Sequence, residues 1–274
     1  MALAHLNFES EHLHCNTDVN IILPDRPRSM EPEKFYQKGE KYRVLWLLHG
    51  TYGDYSDWVR RSNIETYACE KNLMVVMPSA LNSNYANWEH FSLGFNMYDY
   101  FLEELMPLIY GWFPASRRRE DNFIAGLSMG GRGVGIYAFN HPEKFAAAAV
   151  LSASPRELSW LEKNNEHMWM RTLGRIENRG GREAFEASYE YTWRILEEAV
   201  ANHVDLPRLY FVTGSDDAFK PAFDHFRSHA AQYRIPAVFE EISGFKHEWR
   251  FWDLAIQRAL TFFGLDEAEG GNPY

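Results

Sequence analysis

Ser128 stands in the stretch Gly126-Leu127-Ser128-Met129-Gly130, with Gly131 and Gly133 close behind. A serine hydroxyl at its ordinary pKa attacks a carbonyl only when a base takes its proton, and the base needs a carboxylate to hold its tautomer and orientation. Both partners occur downstream, Asp216 and Asp217 in "SDDAF" and His247 in "GFKHEW". Together these residue types would carry out acyl transfer through a covalent intermediate. The oxyanion formed on the way needs two convergent donors. The backbone N–H of Met129 is one, and the turn His49-Gly50-Thr51-Tyr52-Gly53 offers Thr51 or Gly50 as the other.

Each of these residues also has a plainer reading. A G-x-S-x-G pentapeptide arises by chance in many chains, and its serine can simply cap a helix. With eleven histidines in the chain, one His near the C-terminus is unremarkable. The setting separates the readings. An apolar run, Phe123 to Leu127, precedes Ser128 and a helical pattern follows it. A nucleophile on a sharp strand-to-helix turn requires that context, with small neighbours where strand and helix converge. The helix N-terminus would then aim free N–H groups at negative charge forming nearby. Asp216, Asp217 and His247 each follow a later strand pattern. His49 invites a catalytic role, but at the end of a central strand it is expected to hold the loop by hydrogen bonding. Asp54, Asp57 and Trp58 are read as loop-shaping residues.

Apolar runs of strand length recur at 6–13, 19–23, 43–48, 73–77, 123–127, 146–151, 209–213 and 237–242. From the third onward, helical patterns at 58–70, 98–113, 133–140, 219–233 and 249–263 separate them. That alternation predicts an α/β fold, a mostly parallel eight-stranded sheet with helices on both faces, its first two strands forming an antiparallel edge. Between strands six and seven runs a long connection, 155–206, rich in Trp, Tyr and Met. Connections of that length are usually functional, so an inserted aromatic-rich cap or lid within a single domain spanning 1–274 is expected. An extra helical hairpin that only packs on the body fits the composition equally well. The tail "DEAEGGNPY" reads as frayed.

The 274 residues, 46% of them hydrophobic, suffice for one large core. A net charge of −10, with Arg117-Arg118-Arg119 as the only basic run, argues against nucleic acid as a partner. No segment has the apolar length of a membrane span, and the first 25 residues lack the pattern of a signal peptide, so a cytoplasmic chain without a membrane partner is expected. Cys15 and Cys69 show no metal-ligand spacing and are read as reduced and structural. The chemistry requires neither cofactor nor metal. Composition admits a homo-oligomer as well as a monomer.

On the segments "NIILPD", "VLWLLHGTYGDYSDWVRRSNIE", "NLMVVMPSALNSNY", "FIAGLSMGGRG", "TGSDDAF" and "HEWRFWD", the chain resembles the esterase D group of α/β-hydrolases. Within that group it is most similar to the tributyrin esterases and the cinnamoyl (feruloyl) esterases of Gram-positive bacteria. The resemblance covers most of the chain. It implies Ser128 as nucleophile, His247 as base and, counting three residues from Gly214, Asp217 rather than Asp216 as the acid. It implies hydrolysis of esters with short acyl or hydroxycinnamoyl groups, the alcohol in some cases a sugar. S-formylglutathione hydrolases belong to the same broader group and stay as an alternative, as does an acyltransferase on the same scaffold. A catalytically silent binding protein is disfavoured because no triad member is missing. The segment 155–206 is longer and more aromatic than in these relatives, so pocket shape does not carry over. Trp88, Trp160 and Trp169 are candidates for lining an acyl or aryl pocket, against the plainer reading that in a chain with nine tryptophans each packs in the core or cap.

Overall fold

The computed structural model describes residues 1–24, 26, 28–37 and 39–265; the segment read as a frayed tail lies outside them. Ten strands are named in chain order. The first six are β1 (Ala2–Ser10), β2 (Cys15–Leu23), β3 (Arg43–Leu48), β4 (Leu73–Pro78) and the two-residue β5 (Asn87–Trp88) and β6 (Phe95–Asn96). The rest are β7 (Asn122–Leu127), β8 (Ala147–Leu151), β9 (Arg208–Gly214) and β10 (Ala237–Ile242). Among the described residues, eight of them make one sheet in the order β1-β2-β4-β3-β7-β8-β9-β10, while β5 and β6 pair separately. β1 and β2 are antiparallel to each other and β2 to β4. Every pairing from β4 through β3 to β10 is parallel.

Parallel pairing needs crossover helices on both faces, which explains why β4, β7 and β8 are buried at every residue. Alternate side chains sort to opposite faces. Val44, Trp46 and Leu48 join one core and Leu45 and Leu47 the other. The edge strands differ: in β1 the exposed His5, Asn7 and Glu9 alternate with the half-buried Ala4, Leu6 and Phe8. β1 ends at Ser10 rather than running from 6 to 13, because Leu13 is buried in the turn that joins β2 and lengthens the apparent apolar run.

The helices follow the sequence periodicity with two informative exceptions. They begin with α1 (Pro32–Gln37), α2 (Asp57–Arg61) and α3 (Ile64–Glu70). The single helix expected over 58–70 breaks between α2 and α3, where the Ser62 hydroxyl bonds the Trp58 carbonyl and Asn63 N–H donates to Asp253 at 2.8 Å. The pattern at 98–113 comprises α4 (Met97–Asp99), a π-helical stretch (Tyr100–Leu105) and α5 (Met106–Trp112). Pro107, near the start of α5, has no N–H to continue the ladder of the preceding turn. After β7 comes α6 (Met129–Asn140), which starts at the glycines themselves.

The long connection folds as four helices, α7 (Leu158–Asn164), α8 (Glu166–Asn178), α9 (Arg182–Ala187) and α10 (Thr192–Ala201). α11 (Lys220–Tyr233) and α12 (Trp249–Phe262) complete the chain. The back of the four-helix segment is pinned to the body. Arg175, fully buried in α8, pairs with Glu190 and donates to the Asn87 carbonyl at 3.1 Å. Tyr189 stacks on Tyr98 with ring centres 3.9 Å apart and accepts from Asn87 N–H at 2.9 Å. The basic run sits in a solvated turn, Arg118 beside Glu120 and Arg119 beside Asp205.

Candidate active site

Four parallel strands deliver the candidate residues at their carboxyl ends, where an open α/β sheet leaves its crevice. Ser128 follows β7 directly with φ 52° and ψ −111°, a conformation that non-glycine residues rarely adopt. It is held there because β7, α6 and the end of β3 converge. A Cβ on Gly126 would lie 2.5 Å from the Gly130 carbonyl carbon, and one on Gly130 would lie 2.4 Å from the Leu48 oxygen. Ser128 N–H donates to Leu151 O at 2.8 Å, fixing the turn to β8.

His247, in the loop between β10 and α12, places Nε2 3.0 Å from Ser128 Oγ. Its Nδ1 lies 2.9 Å from Asp217 Oδ2. The other Asp217 oxygen accepts from Phe219 N–H at 2.8 Å. Burial works to raise the Asp217 carboxyl. The hydrogen bond and charge of His247 outweigh it, helped by Phe219 N–H and the Ser152 hydroxyl, and the group sits below the usual carboxylate range. An ionised Asp217 in turn fixes the proton of His247 on Nδ1 and leaves Nε2 free to accept from Ser128. The imidazole is clamped edge-on by Phe219 and Trp252, ring centres 4.7 and 4.9 Å away. Asp216 is exposed and bonds the Ser215 hydroxyl at 3.0 Å, away from His247.

Ser152, at the end of β8, is a supporting residue the sequence reading did not single out. It also has positive φ, at 52°, and accepts from the Trp252 indole N–H at 3.0 Å while touching Asp217.

The loop after β3 brings Gly50 and Thr51 against the serine. A Cβ built on Gly50 would lie 3.6 Å from Ser128 Cβ, and Thr51, Ser128 and Met129 line one cleft. His49 shapes that loop. Its Nδ1 donates to Gly50 O at 2.7 Å and its Nε2 accepts from Ala80 N–H at 2.9 Å, a neutral tautomer that burial enforces by lowering its pKa to about 4. Asp54 accepts from Ser56 N–H at 2.7 Å, and the Trp58 indole donates to Leu48 O at 3.2 Å.

The cleft holds about 490 Å³ of empty space, part of it open to solvent. Its walls are not tryptophan. Trp88 lies under Arg175, 4.1 Å from guanidinium to ring centre, and lines a separate surface depression with Phe91. Trp160 stacks on His225 at 4.7 Å, and Trp169 packs between α7 and α8 beside Ile176 and Leu161. In their place stand Arg132, Arg156, Arg171, Met168 and Phe219. Of these, only Arg132, four residues after Ser128 on α6, had a signal in the sequence, its helical spacing from the nucleophile. Among the described residues no cluster of His, Cys, Asp or Glu is arranged to hold a metal ion, and no helix is long and apolar enough to cross a membrane.

The chain belongs to the putative esterase family, whose model matches residues 10–263, and it is a carboxylic ester hydrolase of α/β-hydrolase fold. An acetyl esterase of Caldicellulosiruptor saccharolyticus is 27% identical to it over 96% of this chain and 98% of the relative. Two solved Staphylococcus aureus structures superpose with a TM-score of 0.78, each over 96% of this chain and 98% of its own. One is FphF, a fluorophosphonate-binding serine hydrolase, at 29% identity. The other is an S-formylglutathione hydrolase, FrmB, at 30%.

Proposed function

We propose that Ser128, His247 and Asp217 form the catalytic triad of a serine esterase acting on short-acyl esters. The observation that carries this reading is the continuous line from Asp217 through His247 to Ser128, at 2.9 and 3.0 Å, with the serine at a strained elbow. His247 Nε2 removes the hydroxyl proton as Ser128 Oγ attacks the ester carbonyl, and Asp217 steadies the imidazolium. The oxyanion is held by the N–H of Met129, in the first turn of α6 where no intrahelical acceptor exists, and by that of Thr51 or Gly50. His247 then protonates the leaving alkoxide. Water repeats the sequence and frees the acid.

In this reading 155–206 is the cap of a single domain, since its Met168 and Arg171 line the cleft while its back is pinned to the body. The site is complete in one chain, and no partner copy is needed for the chemistry. The free thiols of Cys15 and Cys69 suit the cytoplasm. The test is rapid mixing with 4-nitrophenyl acetate, wild type against Ser128→Ala. A burst of nitrophenol followed by turnover, both lost in the variant, supports the reading. Equal slow release from both proteins overturns it. Acetate release from acetylated sugars, compared with release from simple alkyl acetates, then decides whether carbohydrate esters are substrates.

A further inference from the structure

A chain of net charge −10 lines its reactive cleft with three guanidinium groups. Arg132 projects from α6, one turn or about 6 Å along the axis from Ser128. Arg156 comes from the loop after β8, and Arg171 from α8 across the cleft. Among the described residues their hydrogen-bond partners are neutral. Arg132 donates to the Asn84 amide oxygen at 3.0 Å, and Arg171 to the Thr51 hydroxyl at 2.9 Å. Arg156 reaches the Thr172 hydroxyl at 3.4 Å, and its Nε is shut off from solvent without a partner.

Glu190 borders the inner end of the cleft, but both its oxygens are taken by Arg175 and Arg179. Among the described residues that line the cleft itself there is no Asp or Glu. Two half-buried arginines, Arg132 and Arg156, grouped with the exposed Arg171 and given only neutral partners, are costly unless an anion joins them, and the guanidinium fork matches a carboxylate or phosphate in two parallel bonds.

Building on the esterase reading above, we propose that the substrate is an anionic ester, bearing a carboxylate or similar oxyanion a few carbon atoms from the scissile carbonyl, which Arg132, Arg156 and Arg171 bind. Titration agrees with the geometry. Burial first, then the charges of Arg175 and Arg171, pull Arg132 down to about 10 against the opposing charge of Glu190. Burial with the charges of Arg132 and Arg171 pulls Arg156 well below its usual value. A bound anion relieves both. Arg171 also ties the subsite to the oxyanion loop, because the hydroxyl it holds belongs to Thr51.

The anion can sit on the acyl or the alcohol side, and paired substrates separate the two. On the acyl side, mono-4-nitrophenyl glutarate is compared with its neutral methyl ester, 4-nitrophenyl methyl glutarate. On the alcohol side, S-acetylglutathione is compared with S-acetyl-N-acetylcysteamine. The expected result is a kcat/KM at least about tenfold higher for the anionic member of one pair. That ratio falls about tenfold in Arg156→Met and in Arg171→Gln, is partly kept in Arg156→Lys, and is untouched in the remote Arg118→Gln. Arg171 is exposed, so its variant reads the subsite even where Arg156→Met folds poorly. Turnover of the neutral esters with ratios near one in both pairs, or ratios that ignore Arg156 and Arg171, overturns the anion subsite alone. No turnover of any of the four overturns the esterase reading with it.

Discussion

The floor and the wall of the cleft are built on opposite electrostatic plans. On the floor every charge has a counterpart: Asp217 faces His247, and buried His49 is kept neutral by two backbone bonds. The wall gathers Arg132, Arg156 and Arg171 around neutral oxygens, while Glu190 at its inner border holds α8 to the body. In the proposed mechanism the floor moves a proton between fixed partners. In the proposed subsite the wall meets a charge that the substrate supplies.

Substitutions that strike one region and spare the other test this division. The largest effect is expected on the floor. Ser128→Ala should lower kcat/KM for 4-nitrophenyl acetate by roughly 10⁴-fold or more, and Asp217→Asn by a comparable factor, with thermal midpoints near wild type. A fall below tenfold in either would remove the floor from the chemistry.

Glu190→Gln should do the reverse. It leaves the fully buried Arg175 guanidinium without its carboxylate, a loss of about 3–5 kcal/mol of stability, visible as a much lower urea midpoint. Hydrolysis at low temperature should suffer far less than in Ser128→Ala.

Acid should act through His49. Its folded pKa of about 4 lies below the unfolded value near 6.5, so from pH 6.5 down to about 4 the unfolded chain binds the extra proton and the native state loses about 3 kcal/mol. Asp217, also depressed, works in the same direction at lower pH, its contribution lost as pH falls through its folded pKa. Urea midpoints that stay flat between pH 7 and 4.5 would contradict a neutral, buried His49. The smallest effect belongs to Asp216→Asn: the exposed carboxylate accepts from the Ser215 hydroxyl, and its loss should alter kcat/KM by less than about twofold.

What could be read from the chain follows the same line between floor and wall. Ser128 sits directly after the plainly apolar β7, and Asp217 and His247 lie in the loops that follow β9 and β10; at the elbow the backbone geometry demands particular residue types: glycine at 126 and 130, a small polar residue between them. For the tryptophans the plainer packing reading held, because aromatic content reports burial without saying against what. Trp88 went under Arg175 and Trp160 against His225. The break between α2 and α3 was hidden for a related reason, since Asp253, from the far end of the chain, supplies the acceptor for Asn63.

The sequence by itself determined the sheet, its parallel character from β3 onward, the elbow, and the placing of Ser128, an aspartate pair and His247 after successive strands, because strand period, glycine spacing and chain order are local properties. Only the tertiary structure decided which of two adjacent aspartates turns inward. It alone also decided that Glu190 is consumed by Arg175 and Arg179 and that three arginines from separate elements share a cleft with Ser128. Burial and charge balance are sums over neighbours distant in the chain, and no local pattern carries them.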